Sequence, residues 1–593
     1  MGKGIVKLGE GQWAVKDGNL LAAKETNGRF KNAEFTVTRG TDATYVGKDG
    51  LIKTASFYNL VTYSEDFSQW AGLIALSIGL NQGISPNGST EANLLSIGID
   101  SSSTRHRLYD LFDFVSGDTY TYSIFAKKNE NDWFQLMFSA SAFDAESYAN
   151  FDLNNGVVGN KGTSTTANIT YYGNGWYRCS ITCTASTSAT TTYELLTTNN
   201  TNSGRYPSYQ SSAAVNVCFL WGAQLVEGTE ALDYQYTNGK EGIPRIDFTD
   251  NTDGHLLLEP ESTNLITYSE DFSETGTDWS FGNGGTGSDP VETKENISSP
   301  DGSLGVSKIV FNNGGGTTSS DYTFTVHPYT SAADDFTTSI YLKGENGGEK
   351  IFVDSNNGNN NIVTLTTSWE RYEITRTHTL TTERYVRIGL RGGTGSDVGE
   401  TTVYAWGAQH EQKSYTTSYI PTNGSTVTRD AETCTGAGEA IDFNSEEGVL
   451  YAEIAMLSEN DKDSNNQLFL NDGTSLQRVG IFTESAGDIR VQIRDNDEAI
   501  DIRNLTALDQ SESGIDTAEF NKIAILYKSG QNKLFVNGSR ITDTNFDNMT
   551  FDLSTLSELD LGSGANSNYF RGKVKAIRVY KETDGIDLAT LTS

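Results

Sequence analysis

Apolar and polar positions alternate along most of this chain with a period of two. In Thr119 to Ala126 the residues Tyr120, Tyr122, Ile124 and Ala126 fall on one face of an extended segment. Val217 to Trp221 is almost continuously apolar, the pattern of a strand covered on both faces. Further alternation marks Gly448 to Met456, Asp488 to Arg494, Lys522 to Tyr527 and Lys573 to Tyr580. Between such runs stand Gly and Asn clusters: Asn154-Asn155-Gly156, Asn312 to Gly316 and Asn356 to Asn359. These residues tolerate positive φ, so the clusters predict hairpin turns and loops. Helical periodicity is nearly absent, with Asp584 to Leu591 the best short candidate. The pattern predicts an all-β protein of tandem antiparallel β-sandwich (jelly-roll) modules.

The chain also repeats itself. Asn59 to Ser68 reads NLVTYSEDFS, and Asn264 to Ser273 reads NLITYSEDFS. A strand from Asp118 to Lys127 is echoed at Asp334 to Lys343, Trp176-x-Arg178-x-x-Ile181 at Trp369-x-Arg371-x-x-Ile374, and Trp221 to Gln224 at Trp406 to Gln409. The landmarks keep their order while the lengths between them change, as expected of duplicated strands joined by tolerant loops. Trp221 and Trp406 lie in apolar strands and read as core, and the same reading extends to Trp176 and Trp369. The predicted organisation is an N-terminal segment 1–58, a first module 59–237, a connector 238–263, a second module 264–422, a linker 423–440 and a distinct sandwich 441–593. Segment 1–58 is short of core-forming residues and is expected to need a partner for order.

Composition narrows the function classes. The chain has 593 residues, with 43 basic against 77 acidic and a net charge of −34. No basic footprint marks a nucleic-acid binder, and the acidic balance opposes docking to an anionic membrane. No run of about 18 apolar residues predicts a membrane span. MGKGIVKLGEGQWAV lacks the apolar core of a signal peptide, and Val6 stands where myristoylation wants Ser or Thr. The expectation is a soluble protein made without export. Cys179, Cys183, Cys218 and Cys434 read as buried free thiols: Cys179 and Cys183, four apart on one strand, are poorly placed to bridge.

Residues that differ between the copies are better ligand candidates than those that repeat. The polar loop Ser203 to Ser211 offers Arg205, Tyr206 and Tyr209, and Trp133 sits near a turn. Aromatic faces stack on the C–H patches of sugar rings while polar neighbours bond the hydroxyls. These four are the candidate glycan-binding residues. The five histidines show no H-E-x-x-H spacing, and no G-x-S-x-G elbow or phosphate loop occurs. No catalytic residue is predicted and no cofactor is required. Asp461 to Asn465 and Asp250 to Gly254 hold oxygen ligands that would suit calcium, without the full EF-hand spacing.

Several phrases resemble bacteriophage virion proteins: Phe35 to Ala55 (FTVTRGTDATYVGKDGLIKTA), Pro244 to Asn264 (PRIDFTDNTDGHLLLEPESTN), the NL-x-TYSEDFS openings, Trp221 to Tyr234 and Trp406 to Arg429. Related tail, fibre and head-spike proteins carry this series before jelly rolls similar to carbohydrate-binding modules. The GLIKTA-like and PRIDF-like segments often lie close together there, which implies that the first module is inserted between them here. Phe520 to Gly538 and Phe570 to Tyr580 are similar to the concanavalin A-like (laminin-G-like) lectin sandwich. The resemblance implies a homotrimeric virion protein assembled in the host cytoplasm. It would be held to other virion proteins by its N-terminal segment and would adhere multivalently to host-surface polysaccharide. Two alternatives are a capsule-degrading depolymerase and a purely architectural capsid or tail protein. A depolymerase spike commonly resembles a long parallel β-helix, and this chain lacks that repeat.

Overall fold

The computed structural model describes residues 5–16, 19–26, 29–56, 58–237, 243–250, 252–354, 361–458, 466–484, 488–495, 498–504, 515–563 and 568–593. The fold is all-β, built of antiparallel sheets. The chain divides into two compact units, Phe57–Glu241 and the combination of Met1–Ser56 with Gly242–Ser593.

Unit Phe57–Glu241 is a sandwich of two six-stranded sheets. One runs in the order Val157–Lys161, Tyr148–Asp152, Trp133–Phe138, Ala189–Thr197, Arg107–Phe114, Gly72–Ile74. The other runs Thr166–Gly173, Trp176–Thr184, Thr119–Lys128, Val215–Glu227, Ala92–Ile97, Ser77–Gly83. Tyr120, Tyr122, Ile124 and Ala126 line the core between them, where the first sheet contributes Phe134, Leu136 and Phe151. The opposite face of the Thr119–Lys128 strand carries Phe125, which packs with Trp176 and Trp221 in a separate cluster.

Within the other unit, residues 264–422 form a sandwich of two five-stranded sheets with the same strand succession, lacking counterparts of the two edge strands Val157–Lys161 and Thr166–Gly173, one in each sheet of the first module. Repeated residues do repeated work. Gly222 and Gly407 take φ of +58° and +63° beside bulges at Ser123/Phe125 and Ser339/Tyr341. The Ser64 hydroxyl lies 2.8 Å from the Tyr234 hydroxyl, which donates to Glu65 at 2.9 Å; Ser269, Tyr419 and Glu270 repeat this at 2.7 and 2.9 Å. Asn59 and Asn264 each donate through Nδ2 to two backbone carbonyls, Ala223 and Gln235 in one copy, Ala408 and Ile420 in the other. The Arg178 and Arg371 guanidinium groups stand over the rings of Phe125 and Tyr341, at 5.3 and 5.4 Å. Trp176, Trp221 and Trp406 are buried, and Trp369 is half-buried with its indole N–H donating to the Ser298 carbonyl.

The third sandwich uses more of the chain than residues 441–593. Its Gly572–Tyr580 strand pairs on one edge with Glu447–Ala455. Along its other edge it receives both Ile5–Gly9 (Ile5 opposite Tyr580) and His255–Leu258 (Leu256 opposite Val574). Arg29–Thr38 pairs with Thr433–Ala437. Val6, Leu8, Leu20, Ala22, Phe35 and Val37 enter one core with Leu450, Leu468, Ile525 and Ile577. The segment read as a separate N-terminal piece therefore finds its partner in the same chain, because its few apolar residues alternate along strands that complete another sandwich. The connector and linker likewise carry ladder strands, Ile246–Asp247, His255–Leu258, Val427–Arg429 and Thr433–Ala437. The C-terminal helix spans Leu588–Thr592, capped by the Asp587 carboxylate, which accepts from the Ala589 and Thr590 N–H groups.

One buried ion network joins these segments. Arg39, Arg245 and Arg429 meet Glu259 and Glu432, none more than 4 % exposed. Glu432 accepts from Arg39 and Arg245, and Glu259 from Arg245 at 2.8 Å and Arg429 at 2.9 Å. Spare donors and acceptors go to the backbone and to Ser418: Arg429 donates to the Pro260 carbonyl, and Ser418 N–H and Oγ–H donate to Glu259. Burial pushes the Glu259 carboxyl up, but Arg429 and Arg245 outweigh it and hold it at about 2. Arg39 also donates from Nη2 to the Ala55 carbonyl at 2.7 Å and from Nη1 to the Ile243 carbonyl at 3.5 Å. A single side chain thus grips both stems between which residues 57–241 are inserted.

Candidate functional site

Beside the network, within the unit that contains residues 243–593, opens a cleft of about 630 Å³. Its lining comes from several segments: the Ala43–Val46 and Ile52–Ala55 hairpin, the connector around Asp247, the Asp335–Gly344 and Glu370–Thr377 strands, and residues 415–419. Tyr45, Phe248, Tyr341 and Tyr415 present partly exposed rings. Tyr341 is held edge-on by Trp406 at 5.6 Å, and Tyr419 packs against the same indole at 4.6 Å. Burial raises the Tyr341 and Tyr419 phenols above their ordinary value, so at neutral pH they stay protonated and act through hydrogen bonds.

The polar lining is largely committed. Asp247 accepts the Val46 and Thr249 N–H groups at 2.7 and 2.8 Å, and Asp250 pairs with Lys573 at 2.5 Å on the rim. His255 is 1 % exposed; burial lowers its pKa to about 4 against the opposing pull of Asp247, 4.0 Å away. The imidazole is therefore neutral at pH 7, and its Nδ1 has no hydrogen-bond partner among the described residues. Arg371 donates from Nη1 to the Thr417 carbonyl at 2.8 Å, leaving Nε and Nη2 without partners among the described residues. Rings on the walls with fixed donors and acceptors between them suit a polyhydroxylated ring ligand.

The four residues singled out in the sequence lie in the other unit and do not form one site. Trp133 is half-buried, opposite Asp152 in the ladder. It opens the strand at whose far end the Phe138 carbonyl accepts from Arg205 at 2.8 Å, about 17 Å along the strand. Tyr209 packs on the core: its hydroxyl lies 2.7 Å from that of Thr197, its ring 4.7 Å from His106. Arg205 and Tyr206 do come together, with the guanidinium carbon 4.4 Å from the ring centroid. The loop carrying them lies over polar groups of the Trp133–Phe138 and Tyr148–Asp152 strands: Gln135 donates to the Gly204 carbonyl, and Asn150 to the Thr201 and Ser203 carbonyls.

All four cysteines are free and buried. Among the described residues no group of three or more His, Cys, Asp or Glu is placed to hold a metal ion, and no helix is long and apolar enough to cross a membrane. Of the two calcium candidates, Asp461 to Asn465 lies outside the described residues, as does the predicted turn Asn356 to Asn359. Asp250 is taken by Lys573.

The cleft was missed because no single stretch contains it. A signal was nevertheless present: ATYVGKDGLI, RIDFTDNTDGHLLLE and SYTTSY, which supply much of its lining, all fall in the phrases that carry the virion-protein resemblance.

No family model and no curated protein matches this sequence. Among solved structures, similar chains include the CBM40 of a Ruminococcus gnavus IT-sialidase, at 19 % identity over 27 % of this chain and 94 % of that one, TM-score 0.21. Domain 4 of AbnA, a GH43 extracellular arabinanase from Geobacillus stearothermophilus in complex with arabinotriose, aligns at 14 % identity over 28 % and 73 %, TM-score 0.22. The CBM22 tandem of Paenibacillus barcinonensis Xyn10C aligns at 11 % identity over 60 % and 99 %, TM-score 0.19. Scores this low carry no argument about function, which rests on the residues themselves.

Proposed function

We propose that this chain is a non-enzymatic structural protein of a bacteriophage particle, a fibre, spike or head decoration, that adheres to host-surface glycans. The observation that supports glycan binding is the cleft, where Tyr45, Phe248, Tyr341 and Tyr415 surround polar groups already fixed by hydrogen bonds. Aromatic faces take the apolar side of a pyranose, and pre-set donors and acceptors select its hydroxyls without an ordering cost. The virion role follows from the phrase resemblance alone. A homotrimer attached through the N-terminal strands and the sandwich they complete would multiply one weak contact into useful avidity. The test is retention of the purified full-length protein on a broad bacterial-glycan array, with the same glycans assayed for new reducing ends. Retention without cleavage is expected. Cleavage would move the protein to the depolymerases, and silence from folded, assembled protein would favour a purely architectural role.

A further inference from the structure

Three arginines converge in the Phe57–Glu241 unit, in a chain whose acidic residues far outnumber its basic ones. The guanidinium carbons of Arg105 and Arg205 lie over the same Tyr206 ring, at 4.7 and 4.4 Å from its centroid, so the two charges stand within about 9 Å of each other. Arg107 adjoins them, paired with Glu194 at 3.2 Å and stacked on Tyr109 at 4.8 Å.

The neighbouring carboxylates are already engaged. Glu194, fully buried, accepts from Arg107, from the Thr192 hydroxyl at 2.6 Å and from the Tyr206 hydroxyl at 3.1 Å. Asp100 is bonded to His106 at 2.7 Å and accepts the Ser211 N–H at 3.0 Å. Asp144 accepts from the Ser147 and Ser164 hydroxyls. Arg205 acts on Asp144 through its charge, but among the described residues neither Arg105 nor Arg205 is in ion-pair contact with a carboxylate.

The backbone at Tyr206 is held against its preference. Tyr206 takes φ +59°, a left-handed conformation a tyrosine rarely adopts, and its N–H donates to Gln135 Oε1 at 3.0 Å. Below, Met137, Tyr148 and Leu196 support the ring. A strained, well-supported residue that gathers like charges fits an anion-binding site better than a stacking platform, since guanidinium groups already cover the ring.

We infer that Arg105, Arg205 and Arg107 around Tyr206 form a second binding site, for the anionic group of an acidic polysaccharide. The shared chemistry is an oxyanion, either a sugar carboxylate or a phosphodiester, taken by forked guanidinium donors. It draws on the glycan-binding reading for its biological setting but not on the cleft for its chemistry.

The test titrates the full-length protein with oligogalacturonate, poly(glycerol phosphate) and neutral dextran. Binding of at least one acidic polymer, weakening as salt rises, with none to dextran, is expected; which polymer binds identifies the oxyanion. Arg105 is exposed, so Arg105→Glu should weaken that binding tenfold or more with the melting transition unchanged. Failure of both acidic polymers, equal binding of dextran, or an unaltered Arg105→Glu variant would overturn the inference. An unaltered Arg105→Glu variant would remove this second site and leave the array test of the cleft standing.

Discussion

Gly407 shows how one residue encodes a module. A Cβ added there would meet Tyr341 at 3.1 Å and Tyr419 at 3.3 Å, on a backbone already at φ +63°. Gly407→Ala is expected to destabilise the 264–422 sandwich by about 1–3 kcal/mol, from steric and left-handed strain together. A lowered melting transition of that sandwich, with the Phe57–Glu241 unit unchanged, would confirm it. The buried ion network is more sensitive. Glu432→Gln leaves Arg39 and Arg245 facing a neutral amide, and breaking a buried pair in this way costs about 3–5 kcal/mol. Loss of the 243–593 transition on calorimetry is the expected result; wild-type melting would show that the network does not hold the segments together. The Trp, Gly and Asn landmarks were legible because they repeat. The network was not, since Arg39, Arg245 and Arg429 come from distant segments and lone arginines ordinarily read as surface.

Among the elements, the second module carries an acid liability in three buried histidines. His327, His378 and His410 are all buried in it, bonded on one side to Thr267, to Tyr329 at 3.0 Å and to Thr338 at 2.7 Å. The other ring nitrogens, Nδ1 of His327 and His378 and Nε2 of His410, have no partner among the described residues. Burial lowers all three pKa values, that of His410 to about 3 with the other two histidines adding to the effect. Because the unfolded chain binds these protons more readily, stability is complete above pH 6.5 and falls as the pH drops toward 3. Between pH 6.5 and about 4.5 the loss belongs to the histidines. Below that, Glu259 and Glu432, also held low, add to it. The first module has one histidine, His106, bonded to Asp100 at 2.7 Å. Hydrogen exchange at pH 7 and pH 5 should therefore show opening of residues 264–422 ahead of 59–237; equal protection would refute this. Strand alternation made these elements readable, but the strands in 5–38 and 423–437 were read as tail and linker. The Asn19–Thr26 and Arg29–Thr38 strands pair locally, but the ladders that tie them and Ile5–Gly9 into a sandwich have partners hundreds of residues away.

For the whole molecule, the insertion suggests a modular build. Arg39 bonds the carbonyls of both Ala55 and Ile243, so the stems are already close without the inserted unit. Replacing residues 57–242 with a short Gly-Ser linker is expected to leave a folded remainder with its melting transition retained. Aggregation or loss of cooperative melting would contradict that independence. The all-β class and the duplication were readable from the sequence, but the cleft is a tertiary property of segments that no local pattern joins. The most direct measurement of its role is calorimetric titration of wild-type protein and Tyr415→Ala with the glycan best retained on the array. Saturable binding by wild type and at least a tenfold loss in Tyr415→Ala, with melting unchanged, is the predicted result. Equal affinity of the two proteins would show that the cleft does not hold the glycan.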